Sequence, residues 1–357
     1  MVKAISIRKI DGKPGQVYYP LEHITIPSSP PKSNEVIITI TAAALNHRDL
    51  FLRQHLYPGL KFGVPLLADG TGIVTSTGSS ATAKSWLGKR VLINPGSGWD
   101  SDPDGPEAPT GYAILGGTRM NPLGTLGESV TIDASEVEVA PEHLSSLEAA
   151  ALPLTGLTAW RATMVKSGNA KAGRNILVTG IGGGVAIMAL LFAVAAGANV
   201  YVTSGSEEKI QRAKSMGAKG GVSYKEKGWE KKLVDLLPKD RKYLDAIIDG
   251  AGGDVAGGVI SIYGMTTSPK MPFLMSAVLK NIEVRGSTMG SRKEFKDMVK
   301  FIADTKLKPI VSRHVSGLDN LEGIDSLFED MKEAKQFGKL VIEVAKESDI
   351  KAGKSKL

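Results

Sequence analysis

The chain contains no cysteine. That excludes disulfides, thiolate-ligated zinc and cysteine-bound iron–sulfur clusters, and it fits a reducing compartment. Histidine is scarce too, with five residues at 23, 47, 55, 143 and 314 and no His-x3-His pair. His47 and His55 read as surface or packing residues, and no metal site is expected. No apolar run approaches the roughly 20 residues that cross a bilayer, so no membrane association is expected. The opening MVKAISIRKI stretch reads as a strand, not a secretory leader. Charge is not scarce: 44 Lys and Arg against 37 Asp and Glu leave a net charge of +7. The lysines of 225–242 and of the C-terminus have no aromatics interleaved. The basic excess therefore reads as solvated surface that draws small phosphorylated molecules, and nucleic acid is not an expected partner.

A hydrophobic content of 42% over 357 residues supports a core and two domains of ordinary size. The most informative segment is Asn175-Ile176-Leu177-Val178-Thr179-Gly180-Ile181-Gly182-Gly183-Gly184-Val185-Ala186. It reads as a buried strand, a glycine turn and the start of an apolar helix that Gly197 closes. Glycine lets backbone approach a pyrophosphate, and the helix start offers N–H groups and partial positive charge. The spacing is Gly180-x-x-Gly183-x-x-Ala186 rather than the usual G-x-G-x-x-G. A second strand follows at 199–203, then a helix capped by Ser206 with Glu207 and Glu208 in its first turn.

About 20 residues past the glycines, an NAD site usually has an acid on the ribose. Here Thr203, Ser204, Gly205 and Ser206 stand there, with Lys209 and Arg212 one and two turns on. A hydroxyl donates to a 2′-phosphate that an acid would repel. The expected cofactor is NADPH. Further strands at 244–249, 259–263 and 281–285 alternate with helical stretches. That predicts an α/β fold with a doubly wound parallel Rossmann sheet. The first ~150 residues are β-rich, with a Gly-, Pro- and Asp-rich loop over 94–127 that holds Trp99 and Tyr112 as candidate cleft walls.

As a set, several segments resemble the medium-chain dehydrogenase/reductases, in their zinc-free, quinone-oxidoreductase-like branch. They are Ala44-Leu45-Asn46-His47-Arg48-Asp49, Gly70-Thr71-Gly72, Leu154-Thr155-Gly156-Leu157-Thr158-Ala159-Trp160, the glycine turn, Gly286-Ser287-Thr288-Met289-Gly290-Ser291 and Phe337-Gly338-Lys339-Leu340-Val341. The resemblance implies a β-rich, GroES-like catalytic domain over 1–151 and 290–346, a dinucleotide-binding domain over 152–289 and a flexible tail over 347–357. Zinc-dependent relatives carry Cys where this chain has Asn46, and Gly-His-Glu where it has Leu67-Ala68-Asp69. Two ligands are therefore missing. Hydride delivery belongs to the nicotinamide, so the implied reaction is zinc-independent, NADPH-dependent reduction of an α,β-unsaturated carbonyl or a quinone.

Carried over by position, Asn46 sits beside nicotinamide and substrate oxygen, and Tyr57 is the candidate cleft donor. Asp49 is expected to cap or pair rather than to move protons. The cofactor is expected against Asn46, Thr155, Gly180, Gly183, Gly184, Val185, Ser204, Lys209, Tyr224, Gly250, Tyr263, Met289, Gly290 and Lys339, with Lys339 reaching the pyrophosphate. Two alternatives stand beside this: a non-catalytic NADPH-binding sensor or RNA binder on the same fold, and a metal-free aldehyde reductase. A homodimer is the expected assembly. The chain closes Ser355-Lys356-Leu357 after a polar, Lys-rich stretch. That is a peroxisomal address at a free C-terminus, so a peroxisomal import receptor and the peroxisome matrix are expected, with the cytoplasm as the alternative.

Overall fold

A computed structural model describes residues 1–250, 259–264, 275–279 and 281–352. The chain divides into two compact units, one formed by Met1–Leu154 with Ser291–Leu357 and the other by Thr155–Gly290.

In the first unit the central strand is Glu35–Ala44, ten residues long and almost wholly buried. Asp69–Thr77, Ser129–Asp133 and Lys339–Glu343 all pair with it in antiparallel register. The sheet continues through Arg90–Ile93 to Val137–Val139, and on its other side Val311–Ser316 lies parallel to Lys339–Glu343. The Gly70-Thr71-Gly72 motif has a steric reason. A side chain at Gly72 would begin 2.1 Å from the Thr39 carbonyl oxygen, where a register shift brings the two strands together. The apolar core gathers Ile5, Leu45, Leu66, Phe328, Leu340 and Ile342. The Leu321–Lys332 helix, which opens on Asn320, adds Ile324, Leu327 and Phe328 to that core, and a second helix, Arg292–Thr305, opens with a Ser291/Glu294 capping box.

The 94–127 segment is less of a free loop than its composition suggests. Gly96–Ser97 pairs with Ala113–Ile114, and Glu107 accepts the backbone N–H groups of Asp100, Ser101 and Asp102 at 2.6, 2.7 and 2.8 Å. Those bonds, Ser101 foremost, pull the Glu107 carboxyl down to about 2. Trp99 is buried and donates to the Asp102 carbonyl, so its ring packs the segment's own interior rather than walling a cleft. A short helix, Glu347–Lys351, extends past the expected end of ordered chain; Glu347 pairs with Arg90 at 3.7 Å and accepts from Ser146. Ser355, Lys356 and Leu357 lie outside the described residues.

The second unit is a six-stranded sheet in the order Gly220–Ser223, Asn199–Ser204, Asn175–Val178, Ala246–Asp249, Val259–Ile262, Glu283–Gly286. Every pairing in it is parallel. Leu177, Tyr201, Val222, Ile247 and Ile260 fill its core. The Gly184–Ala195 and Glu207–Ser215 helices match the apolar and Ser206-capped stretches read from the sequence. The Pro153–Trp160 helix runs on into a π-helical turn over Arg161–Lys166 that the sequence does not announce, with Ser167 N–H bonding the Ala162 carbonyl at 3.0 Å.

Candidate active site

In the first unit, strand register assembles a buried polar cluster. Ala44, last in the central strand, is the register partner of both Asp69 and Val341. Asn46 follows it as the N-cap of the His47–Arg53 helix, in extended conformation at φ −132° and ψ 160°. Lys339 stands two residues before Val341. The Lys339 ammonium donates to the Leu45 carbonyl and Asn46 Oδ1 at 2.6 Å each, and to Asp69 Oδ2 at 2.7 Å. Asn46 Nδ2 donates to the same Asp69 oxygen at 3.0 Å, while Asp69 Oδ1 accepts the Leu154 N–H at 2.6 Å. Asp69 is 0%, Lys339 4% and Asn46 6% exposed. The amide is thus held on both edges, its oxygen to a cation and its nitrogen to an anion. The pattern fixes which atom is which.

Asp49 takes the structural role expected of it. It accepts the Asn46 N–H at 2.8 Å and pairs with Arg48 at 2.9 Å. Arg48 also donates to the Gly116 carbonyl at 2.7 Å and stacks 4.8 Å from the centre of the Tyr57 ring. Arg48 therefore ties the helix start to Tyr57 and to the 94–127 segment. Tyr57 is half-buried. The His47 side chain keeps access to solvent, and the protein atoms around it, with a smaller effect of the Lys339 charge, hold its imidazole below the ordinary value.

These residues do not fit a zinc ion. Asn46 and Ala68 stand where the zinc-dependent relatives carry ligands, and Asp69 Oδ2 already faces the Lys339 ammonium. A divalent cation there would meet a fixed positive charge. Among the described residues no three His, Asp or Glu side chains converge as a metal site.

The second unit carries the glycine turn and most of the residues expected against a dinucleotide. Gly180 and Gly182 take φ of +60° and +139°, conformations an L side chain rarely adopts. Gly183 is the N-cap of the Gly184–Ala195 helix with no side chain capping it, and a Cβ at Gly180 or Gly183 would enter open space. The turn is thus a bare cradle of backbone at a helix start, the arrangement that receives a pyrophosphate. Gly180 N–H is held by the Thr203 hydroxyl and Ile181 N–H by the Thr203 carbonyl, which pins the turn to the next strand.

At the end of that strand Ser204 and Tyr224 come together. Tyr224 N–H bonds the Ser204 carbonyl at 3.2 Å, and its hydroxyl lies 2.7 Å from where a Gly205 Cβ would be. Lys209 reaches back over the glycine turn, its ammonium 3.2 Å from the place of a Gly182 Cβ. Partial burial holds that ammonium below its usual value. Glu207, an acid near the ribose position that could compete, accepts from Gln211 on its own helix at 2.6 Å. Gly250 closes its strand under the Tyr263 ring, whose hydroxyl burial pushes well above the phenol range. Thr158 donates to Met289 Sδ at 3.7 Å, and Met289 holds a left-handed φ of 43° beside Gly290. Thr155 is 4% exposed in the Pro153–Trp160 helix.

Two residues of the first-unit cluster escape reading from sequence as members of it. Asp69 registers only as a departure from a zinc motif, and Arg48 only as a letter of the Ala44–Asp49 motif with no role attached. Their partners lie 23 and 68 residues away.

Residues 32–142 match the alcohol dehydrogenase GroES-like domain, and 184–304 match the zinc-binding dehydrogenase model. The zinc-type alcohol dehydrogenase-like protein YogA of Leptosphaeria maculans is 52% identical over 354 residues, covering 95% of this chain and 99% of that protein. An acryloyl-coenzyme A reductase of Sulfurisphaera tokodaii is 26% identical over 338 residues, covering 91% and 96%. A crystal structure of an NAD-dependent alcohol dehydrogenase superposes with a TM-score of 0.80 at 31% identity, covering 96% and 100%. With its GroES-like unit, its Rossmann-like parallel sheet and a relative more than half identical along nearly its whole length, the chain belongs to the medium-chain dehydrogenase/reductase family of oxidoreductases.

Proposed function

We propose that the protein is an NADPH-dependent reductase of α,β-unsaturated carbonyl compounds that works without zinc. The observation that carries this reading is the Asn46 amide, clamped between Lys339 and Asp69 where zinc-dependent relatives have a cysteine. When bound, the reduced nicotinamide supplies hydride to the electrophilic carbon. Negative charge then collects on the carbonyl oxygen. One N–H of Asn46 is engaged by Asp69; the other is the donor for that oxygen. A fixed donor in a water-poor site is the arrangement that favours a developing oxyanion. The Tyr57 hydroxyl, held by the Arg48 stack, or a water, returns the proton to the α-carbon. The acryloyl-coenzyme A reductase among the relatives supports a conjugated acceptor. Ser204, Lys209 and Tyr224 support NADPH, since together they offer two hydroxyls and an ammonium to a 2′-phosphate, with Glu207 turned away.

The test is a panel followed by loss of the reduced-nicotinamide absorbance. It holds an enal with its saturated aldehyde, a quinone and a conjugated acyl thioester, each with NADPH and NADH. Turnover of conjugated acceptors and not of the saturated aldehyde is expected, with NADPH preferred. Equal use of NADH refutes the cofactor assignment, and turnover of the saturated aldehyde alone refutes the acceptor class.

A further inference from the structure

We propose that Lys339 is a positioning residue for the Asn46 amide, acting through the Lys339–Asp69 pair, and not a ligand of the cofactor. This deepens the functional reading above and rests on Asn46 as the group that meets the substrate oxygen.

An ammonium has three donors. Those of Lys339 go to the Leu45 carbonyl, Asn46 Oδ1 and Asp69 Oδ2, all between 2.6 and 2.7 Å. A pyrophosphate oxygen could gain one only by displacing a protein acceptor from a side chain that is 4% exposed. The donors close a ring. Lys339 bonds Asn46 Oδ1 and Asp69 Oδ2, and Asp69 Oδ2 in turn accepts from Asn46 Nδ2. An asparagine amide alone can turn over at little cost, exchanging its acceptor for its donor. Inside this ring the exchange would set a carbonyl against a carboxylate and an NH2 against an ammonium. The ring therefore holds the nitrogen, with its remaining N–H, in one place. The charges stay inside the protein, and the neutral amide they fix is what faces the reaction. The backbone anchors the pair from both sides, since Asp69 Oδ1 accepts the Leu154 N–H and the Asn46 N–H is held by Asp49.

The experiment compares the unmutated chain with the charge-neutral double variant Asp69→Leu/Lys339→Met, which leaves no lone buried charge. Turnover of a conjugated acceptor is read as kcat and KM, and NADPH affinity by the fluorescence of the bound nucleotide. The expected result is a kcat about 100-fold lower, the size seen when one oxyanion donor is lost, with NADPH affinity within about threefold. A fall of tenfold or more in NADPH affinity shows that Lys339 holds the cofactor and overturns the proposal, whatever kcat does. A kcat within about threefold of the parent overturns it as well.

A second measurement needs no variant to stay active. In protein labelled with 15N at asparagine, one side-chain NH2 group, assigned by its loss in Asn46→Ala, is expected to exchange with solvent far more slowly than exposed amides. Fast exchange at that group refutes the ring. If the unmutated protein turns over no conjugated acceptor, the functional reading fails, while the amide signal still decides the arrangement around Lys339.

Discussion

Replacing Asp69 alone by leucine exposes how the first unit depends on charge balance at its centre. The carboxylate is fully buried and accepts three hydrogen bonds, from Lys339 Nζ at 2.7 Å, Asn46 Nδ2 at 3.0 Å and the Leu154 N–H at 2.6 Å. Its loss leaves the Lys339 ammonium buried without a counter-ion, a situation that costs about 3–5 kcal/mol. The two orphaned N–H groups push toward the upper end of that range, since each unmet buried donor costs about 1–3 kcal/mol. Against a total stability of about 5–15 kcal/mol, the variant loses a large share. Lys339→Met fails in the mirror sense, leaving the carboxylate alone. The double variant Asp69→Leu/Lys339→Met removes both charges, and a buried pair exchanged for apolar side chains is often close to neutral. It is expected to lie within about 2 kcal/mol of the parent, well below the sum of the singles. The assay is equilibrium urea unfolding of all four proteins, with the denaturant slope checked for constancy. Trp86 and Trp99 report the first unit, and Trp160 and Trp229 the second. A cost under about 1 kcal/mol for Asp69→Leu, or a double variant that loses the full sum, refutes the reasoning.

Two further outcomes are expected. Lys209→Ala should raise KM for NADPH by about 10- to 100-fold, the worth of a hydrogen bond to a charged group, and KM for NADH by less than about threefold; equal effects on both cofactors would remove Lys209 from phosphate recognition. Glu107 should titrate near 2 rather than its ordinary 4.5, because three backbone N–H groups favour its ionised form in the folded chain. Its contribution is then full above about pH 4.5 and is lost as pH falls toward 2. The carboxyl carbon shift of Glu107, assigned by Glu107→Gln, checks this, and a midpoint near 4.5 counts against the observed loop geometry.

What the sequence discloses and what it hides follow from the range of the forces involved. The parallel sheet is legible because strand, glycine turn and apolar helix are local signals, each written within about a dozen consecutive residues from Asn175 onward. The Ser206 cap and the Glu207–Ser215 helix are local in the same way. The His47–Arg53 helix is not legible, because seven residues between two strands carry too little periodicity, and its start is fixed by Asp49 folding back on Asn46. The π-helical turn after Trp160 has no pattern of its own at all.

The candidate site divides along the same line. Asn46 can be named from its motif, yet what the amide does there depends on residues 23 and 293 positions away. Only the pairing of two separate strands with Ala44 brings Asp69 and Lys339 to it. A lysine at 339 suits a pyrophosphate equally well on composition alone. What supports the positioning role proposed for it is that three protein acceptors surround the ammonium and that almost none of it reaches solvent. In this chain the role of a charged residue is set less by its charge than by how many of its hydrogens the fold has already engaged.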